Sequence, residues 1–381
     1  MRLTKKVMAL AMASCMAMSL AGCGGCGSAE TTAAPAETTT AAAAEAETTA
    51  ADAAAEAETT AADAAAAVEG KDPSEIKVGI SIYQFADNFM TLYREELQKY
   101  LVEECGLKAE NISIMDGKND QGEQMNQIRN FITKGYDVMI INLVQASSEP
   151  TVTEECNAAG IPVVYINREP EAEREEAWVT EGIKATYVGA DARQSGTYQG
   201  EEIVELENKG DADGDGVVRY IMVQGDPENV DAQYRTEKSI EALTAAGVEV
   251  EELVKMRGDW DQTKGQEITA NALSQHGAKI DVVFCNNDAM ALGALQAIEA
   301  ANRKVNEDIY LVGVDALVEV VEHVMNGKMT GTVFNDYFGQ AHTAADKALD
   351  FVNGKEVDNV YMVDYVKVTP ENAAEILELI K

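Results

Sequence analysis

Residues 211–219 read DADGDGVVR, with Asp211, Asp213 and Asp215 at alternate positions and Gly216 behind them. Carboxylates spaced this way are the front half of a calcium loop, which closes with a bidentate carboxylate at its twelfth position. Here the twelfth position is Met222 and the ninth is Arg219, whose guanidinium donates hydrogen bonds and coordinates no cation. The motif therefore either takes its missing ligand from elsewhere in the fold or is an acidic turn paired to Arg219.

A second set of polar residues recurs wherever an apolar run ends. SIYQF is followed by Ala86-Asp87-Asn88-Phe89, VVYI by Asn167-Arg168, and YIMVQG by DPENVDAQYR, which holds Asn229, Asp231 and Arg235. VVFC ends in Asn286-Asn287-Asp288, LVGV in Asp315, and GTVF in Asn335-Asp336. Carboxylates, amides and guanidinium groups together suit a ring of hydroxyls, each of which both donates and accepts. Phe89 and Trp260 stand beside these clusters and offer flat apolar faces to a sugar ring. The competing reading is that Asn and Asp at strand ends cap the helices that follow.

The apolar runs that carry these residues come in two series. IKVGISIY, ISIMDG, YDVMIINLV, IPVVYIN and ATYVGAD alternate with amphipathic stretches, and VVRYIMVQG opens a second series through IDVVFCNND, IYLVGVDA, MTGTVFND and VYMVDYVKV. Near-continuous apolar strands between helices predict parallel sheets covered on both faces, an α/β fold. Roughly 310 residues of this pattern exceed one doubly wound domain, which predicts two lobes. Ligands of such sheets bind beyond the carboxyl ends of the strands, where the polar clusters lie.

Composition narrows the partners. The chain has 30 Lys and Arg against 66 Asp and Glu, a net charge of −36. That balance argues against nucleic acid, whose phosphates need clustered basic residues. Residues 1–22 have a basic start (Arg2, Lys5, Lys6) and an apolar core, the pattern of an export signal. Leu20-Ala21-Gly22-Cys23 looks like a bacterial lipobox, with cleavage before Cys23, lipid on its sulfur and a membrane anchor as the consequence. Residues 24–70 are Ala, Thr, Glu and Asp, with EAETTAADAAA repeated at 45–55 and 56–66. Such a stretch has nothing to bury and reads as a tether. The scattered Cys105, Cys156 and Cys285 read as free thiols.

Catalytic motifs are missing: HExxH, GxSxG and a Gly-rich phosphate loop do not occur. His276, His323 and His342 fall in ordinary helical surroundings. A glycosidase acting through paired carboxylates is the enzyme alternative, and a sugar-responsive repressor is excluded by the export signal.

Over residue 74 to the end the chain resembles the galactose/glucose-binding proteins of bacterial sugar ABC transporters, in the ribose-binding-like branch of periplasmic binding proteins. The resemblance is carried by YQFADNFM (83–90), VVYINREP (163–170), GDPENVDAQYRT (225–236), CNNDAM (285–290), GVDAL (313–317) and GTVFND (331–336). It implies two doubly wound parallel-sheet lobes of type I architecture joined by a three-strand hinge: 74–189 with 336–366, and 190–335 with 367–381, behind a tether of 23–73. It implies that Asp87 binds a hydroxyl near C4 and that Phe89 and Trp260 sandwich the pyranose. Asn167, Asp231, Arg235, Asn287, Asp315 and Asn335 then supply hydrogen bonds, as does Asn229, which stands where the family motif carries His. D-galactose or D-glucose, a membrane permease and a monomeric, non-enzymatic protein follow from the same resemblance. A role in sensing, toward a chemoreceptor or histidine kinase, is compatible with it. It further implies structural calcium on Asp211, Asp213, Asp215 and the Val217 carbonyl, closed by Asp281 from a distant strand. Arg219 departs from the family there, and Asp281 is one methylene shorter than Glu.

Overall fold

The computed structural model describes residues 70–381; the signal segment, Cys23 and nearly all of the tether lie outside them. Residues 71–73, placed at the end of the tether by the domain layout that the resemblance implies, are already part of the folded region. Lys71 pairs with Asp137 at 2.6 Å, and Asp72 caps a short turn by accepting from the Ser74 amide.

The first sheet is built from β1 (Val78–Ile82), β2 (Ile112–Asp116), β3 (Val138–Ile141), β4 (Val163–Ile166) and β5 (Ala185–Gly189), in the order β2-β1-β3-β4-β5 and parallel throughout. The helices α1 (Asn88–Glu103), α2 (Gln121–Lys134), α3 (Glu149–Ala158) and α4 (Ala172–Glu181) connect them. β1, β3, β4 and β5 are buried along their whole length, as continuous apolar runs require of strands covered on both faces. Each fully buried Val or Ile in them contributes about 1.5–3 kcal/mol relative to exposure.

The second sheet repeats the winding. After α5 (Ala192–Val204) come β6 (Val217–Gln224), α6 (Val230–Ala245), β7 (Glu249–Arg257), α7 (Gln262–His276), β8 (Val282–Cys285), α8 (Asp288–Ala300), β9 (Tyr310–Val312) and α9 (Val318–Met325). The strands are parallel in the order β7-β6-β8-β9. In both sheets the strand order reverses beside the first strand, between β1 and β3 and between β6 and β8. Those reversals are where an open α/β sheet leaves a crevice for a ligand.

The rest of the chain stitches the lobes together. β10 (Thr332–Phe334) continues the second lobe, whereas α10 (Tyr337–Val352) packs on α1 and β11 (Val360–Met362) adds in parallel to β5. β12 (Val366–Val368) then pairs antiparallel with β10, and α11 (Ala373–Ile380) packs on α9. The chain thus passes between the lobes three times, over 190–191, 335–336 and 363–365. VYMVDYVKV, a single apolar run in the sequence, is two strands in two lobes, and Val366 already belongs to the second.

One helix contact fixes much of the site. Gly196 and Gly200 of α5 face α6 so closely that a Cβ at 196 would lie 2.8 Å from the Arg235 Cα, and one at 200 would lie 2.3 Å from the Ser239 carbonyl oxygen. Both are below any contact a real Cβ makes, so glycine at these positions lets α6 sit where its Arg235 reaches the cleft.

Candidate functional site

The two strand-order reversals open onto one narrow cleft lined from both lobes. The first lobe contributes Asp87 and Phe89 from the start of α1 and Asn167 from the end of β4. The second contributes Asn229, Asp231 and Arg235 around the start of α6, Trp260 after β7, and Asn287 after β8. Asp315 and Asn335 come from the ends of the β9 and β10 segments. All ten positions singled out in the sequence therefore line one cavity. Tyr83, Met90 and Arg168 line it too and were missed. Tyr83 and Met90 bound the YQFADNFM motif, and Arg168 follows Asn167 directly, so adjacency was the signal available.

The capping reading and the binding reading turn out to describe the same residues. Asp87 caps α1 through Oδ1, accepting from the Met90 amide at 2.7 Å, while its Oδ2 accepts from the Tyr83 hydroxyl at 2.7 Å. Asn229 caps α6 with Oδ1 on the Asp231 amide, and Asn287 caps α8 with Oδ1 on the Met290 amide, both at 3.0 Å. A cap uses one side-chain oxygen and aims the rest of the group past the helix N-terminus. Because these helices begin at the crevice, what remains points at the cavity wall.

Three cleft residues hold left-handed backbone without being glycine: Asn167 (φ 64°), Trp260 (φ 64°) and Asp315 (φ 125°). Such conformations cost free energy and persist where the surroundings enforce them. For Asn167 the enforcement is visible: its carbonyl accepts from the buried Tyr187 hydroxyl at 2.9 Å, and its side-chain oxygen accepts from Asn142 at 3.1 Å. Trp260 lies over Gly225, where a Cβ would stand 2.2 Å from the indole ring.

Arg235 is anchored at three points. It donates to Ser195 Oγ (3.2 Å), the Asn286 carbonyl (2.8 Å) and the Tyr365 hydroxyl (3.0 Å), the last from the hinge. Arg168 lies over the Tyr83 ring at 4.0 Å, donates to the Val144 carbonyl and faces Asp226 of the other lobe at 3.9 Å. Two buried polar atoms of the cleft lack a hydrogen-bond partner among the described residues: Asp231 Oδ1 and Arg168 Nε. A buried acceptor or donor left unmade is costly, so the pair describes a ligand that both donates and accepts.

Burial pushes the Asp231 carboxyl up to about 6, against the pull of Arg235 and Arg168. Burial likewise holds Asp315 well above the carboxylate range, with Arg235 opposing. Beneath them Asp288, raised to about 7 by burial, accepts from Thr332 Oγ1 at 2.7 Å and from the Leu317 amide at 2.9 Å, bracing the turn that presents Asp315. Three carboxyls (Asp87, Asp231, Asp315), one of them driven toward the neutral form, face two guanidinium groups and four amides in this cavity. That near-balance suits an uncharged, hydroxylated ligand. None of the three histidines lines it.

The acidic loop is a separate matter. The carboxylates of Asp211, Asp213 and Asp215 converge, with ligand atoms within 4.8 Å of one another. Asp281 does not join them. Its Oδ1 accepts from the Ala212 amide at 3.2 Å and its Oδ2 from the Arg219 amide at 2.8 Å, so both oxygens hold backbone. Val217 opens β6, and the ninth-position Arg219 reaches into the cluster, with Nη1 2.8 Å from Asp215. The donor set expected for calcium thus does not fit these residues: the closing carboxylate holds backbone outside the cluster, and a guanidinium reaches the loop carboxylates.

Comparison with known proteins identifies the fold. The D-galactose/methyl-galactoside binding periplasmic protein of Haemophilus influenzae is 32% identical over 315 residues, covering 79% of this chain and 92% of that protein. A ribose import binding protein of Bacillus subtilis is 27% identical, covering 74% and 84%. An ABC transporter solute binding protein from Bacillus halodurans, solved with bound myo-inositol, matches with a TM-score of 0.70 at 29% identity, covering 81% of this chain and 99% of that one. The profile of the periplasmic binding protein domain spans residues 78–356, from β1 through α10. With that span and the cleft between its two sheets, the chain belongs to the periplasmic binding protein family.

Proposed function

We propose that the protein captures a neutral monosaccharide, D-galactose or D-glucose, between its two lobes and hands it to the membrane permease of an ABC transporter. The observation that carries this reading is the unpartnered pair, Asp231 Oδ1 and Arg168 Nε, in a cleft otherwise furnished with amides, carboxyls and Trp260. A sugar hydroxyl donates to the first and accepts from the second. Phe89 and Trp260, from different lobes, supply the flat faces for a pyranose, and ligand contacts to both lobes favour the closed state. A hexose of about 12 heavy atoms at roughly 0.7 kcal/mol each gives about −8 kcal/mol, micromolar affinity.

The names of the relatives support a sugar and leave its identity to the site. Asn229, with its Oδ1 committed to the α6 cap, offers its amide Nδ2 where the family motif has His. The preference at the neighbouring hydroxyl therefore rests on a donor. Export, a lipid on Cys23 and a monomeric state complete the proposal, and no catalytic step is assigned to the cleft carboxylates.

Isothermal calorimetry with D-galactose, D-glucose, D-ribose and myo-inositol tests the ligand. Saturable heat with either hexose is expected; heat with ribose or inositol alone would overturn the assignment. Nitrophenyl galactosides and glucosides should release no chromophore. Radiolabelled palmitate should enter the exported chain and be lost in Cys23→Ser. Uptake of labelled sugar, followed separately from taxis in a deletion strain, distinguishes transport from sensing.

A further inference from the structure

The acidic loop closes on its own backbone. Asp211 accepts from the Gly214 amide at 2.8 Å through Oδ1 and from the Gly216 amide at 2.9 Å through Oδ2. Asp213 accepts from the Asp215 amide at 3.2 Å, and Asp215 from the Val217 amide at 3.1 Å. One positive charge reaches these groups from β6. Arg219 Nη1 lies 2.8 Å from Asp215 and 3.9 Å from Asp213, while its Nε lies 2.9 Å from Glu251 on β7.

We propose that Arg219 is the resident cation of this loop, so that the second lobe is braced without calcium. One guanidinium touches two loop carboxylates and the neighbouring strand, which ties the loop to β6 and β7 as a metal would tie it to a distant carboxylate. A divalent ion placed among Asp211, Asp213 and Asp215 would sit beside that fixed positive charge. Displacing the guanidinium would also break its pair with Glu251. Asp281, which would have to supply the remote ligand, already closes the loop from the other side by accepting from the Ala212 and Arg219 amides. A covalently attached cation holds at any external calcium concentration, whichever sugar the cleft takes.

Thermal unfolding of the full chain in excess EDTA and in excess calcium chloride tests this, with Arg219→Gln and Arg219→Lys beside the parent. The parent should melt at the same temperature in both buffers, and Arg219→Gln should melt several degrees lower than the parent in EDTA, with Arg219→Lys between them. A parent melting temperature that rises with calcium, or an Arg219→Gln variant that melts with the parent in EDTA, would overturn the proposal. Should Arg219→Gln fail to fold, calorimetric titration of the parent with calcium chloride decides alone. Absence of saturable heat supports the guanidinium, and a saturable isotherm sinks it.

Discussion

Asp231→Asn separates what the cleft does for stability from what it does for binding. The parent carboxyl sits at about 6 in the folded protein against an ordinary 3.8. At about 1.4 kcal/mol per unit, keeping it ionised at pH 7.5 costs the ligand-free protein about 3 kcal/mol. Asparagine removes that cost and forfeits about 0.3–1 kcal/mol of favourable charge at the start of α6. The ligand-free variant should then be more stable by about 2 kcal/mol and melt several degrees higher. Binding moves the other way: exchanging a charge-assisted hydrogen bond for a neutral one loses about 0.5–2 kcal/mol, or about 2- to 30-fold in Kd. The pH dependence supplies a second check with a definite sign. A hydroxyl donating to Asp231 favours the ionised form, so its pKa is lower in the complex than in the free protein. Affinity is therefore complete above about 6 and falls by up to about tenfold per unit below it. The variant should show a flat profile there. Calorimetry from pH 5 to 7.5, with differential scanning of the free proteins, reads both effects. A variant that binds as tightly as the parent, or melts lower without ligand, would refute the assignment of Asp231 as an unsatisfied ligand group.

Stability without ligand should run opposite to affinity. Burial raises the folded-state pKa of Glu169 to about 6, Asp288 to about 7 and Glu175 to about 8. Their contributions are complete below the ordinary carboxylate range and lost as pH rises through these values, so Tm should fall between pH 5.5 and 8.5. It should do so even in high salt, where repulsion among exposed charges is screened; a flat profile in high salt would contradict the burial argument. Gly225→Ala should displace the Trp260 ring, whose nearest atom would be 2.2 Å from the new Cβ. It should weaken hexose binding nearly as much as Trp260→Ala, and unchanged affinity would show that the indole position is not needed. Asn287→Ala should lose the α8 cap, costing about 0.5–2 kcal/mol. Asn287→Asp should keep the cap and Tm yet replace the amide donor with an acceptor; equal affinity in Asn287→Asp and the parent would remove Asn287 from the ligand set.

Legibility in the sequence followed what local pattern can encode. Parallel strands buried on both faces leave a nearly continuous apolar trace, so β1, β3, β4 and β8 are readable from their Val- and Ile-rich runs. Their polar ends were readable because helices in this fold start at the crevice, and a helix start declares itself with Asp or Asn. Arg168 and Tyr83 escaped for a reason of the same kind. Their roles depend on a stack of guanidinium over phenol, which brings together the ends of β1 and β4, and on a contact to Asp226 across the cleft, which exists only once two lobes are folded together. The split of VYMVDYVKV into β11 and β12 escaped because an apolar run carries no mark of which sheet each half joins. Gly196 and Gly200 look like helix weaknesses in sequence; only the approach of α6 gives them a purpose.

The acidic loop shows where a motif misleads. DADGDG specifies a turn geometry, and the structure has that turn, with carboxylates accepting from Gly214, Gly216 and Val217 amides. A cation site needs more: an oxygen ligand at position nine and a closing carboxylate that joins the cluster. Both fail here, at Arg219 and at Asp281, and they fail together because the Arg219 amide is what holds Asp281 while its side chain holds Asp215. The turn and the ion it suggests are separable, and under the proposal above a single strand residue couples the loop to the lobe in the ion's place. The cleft obeys the converse rule. There, residues that cap helices, Asp87, Asn229 and Asn287, satisfy local geometry first, and fold topology gathers them around one cavity. A function spread over two lobes can therefore be encoded by short, locally satisfied segments, with only Asp231 and Arg168 left incomplete until a ligand arrives.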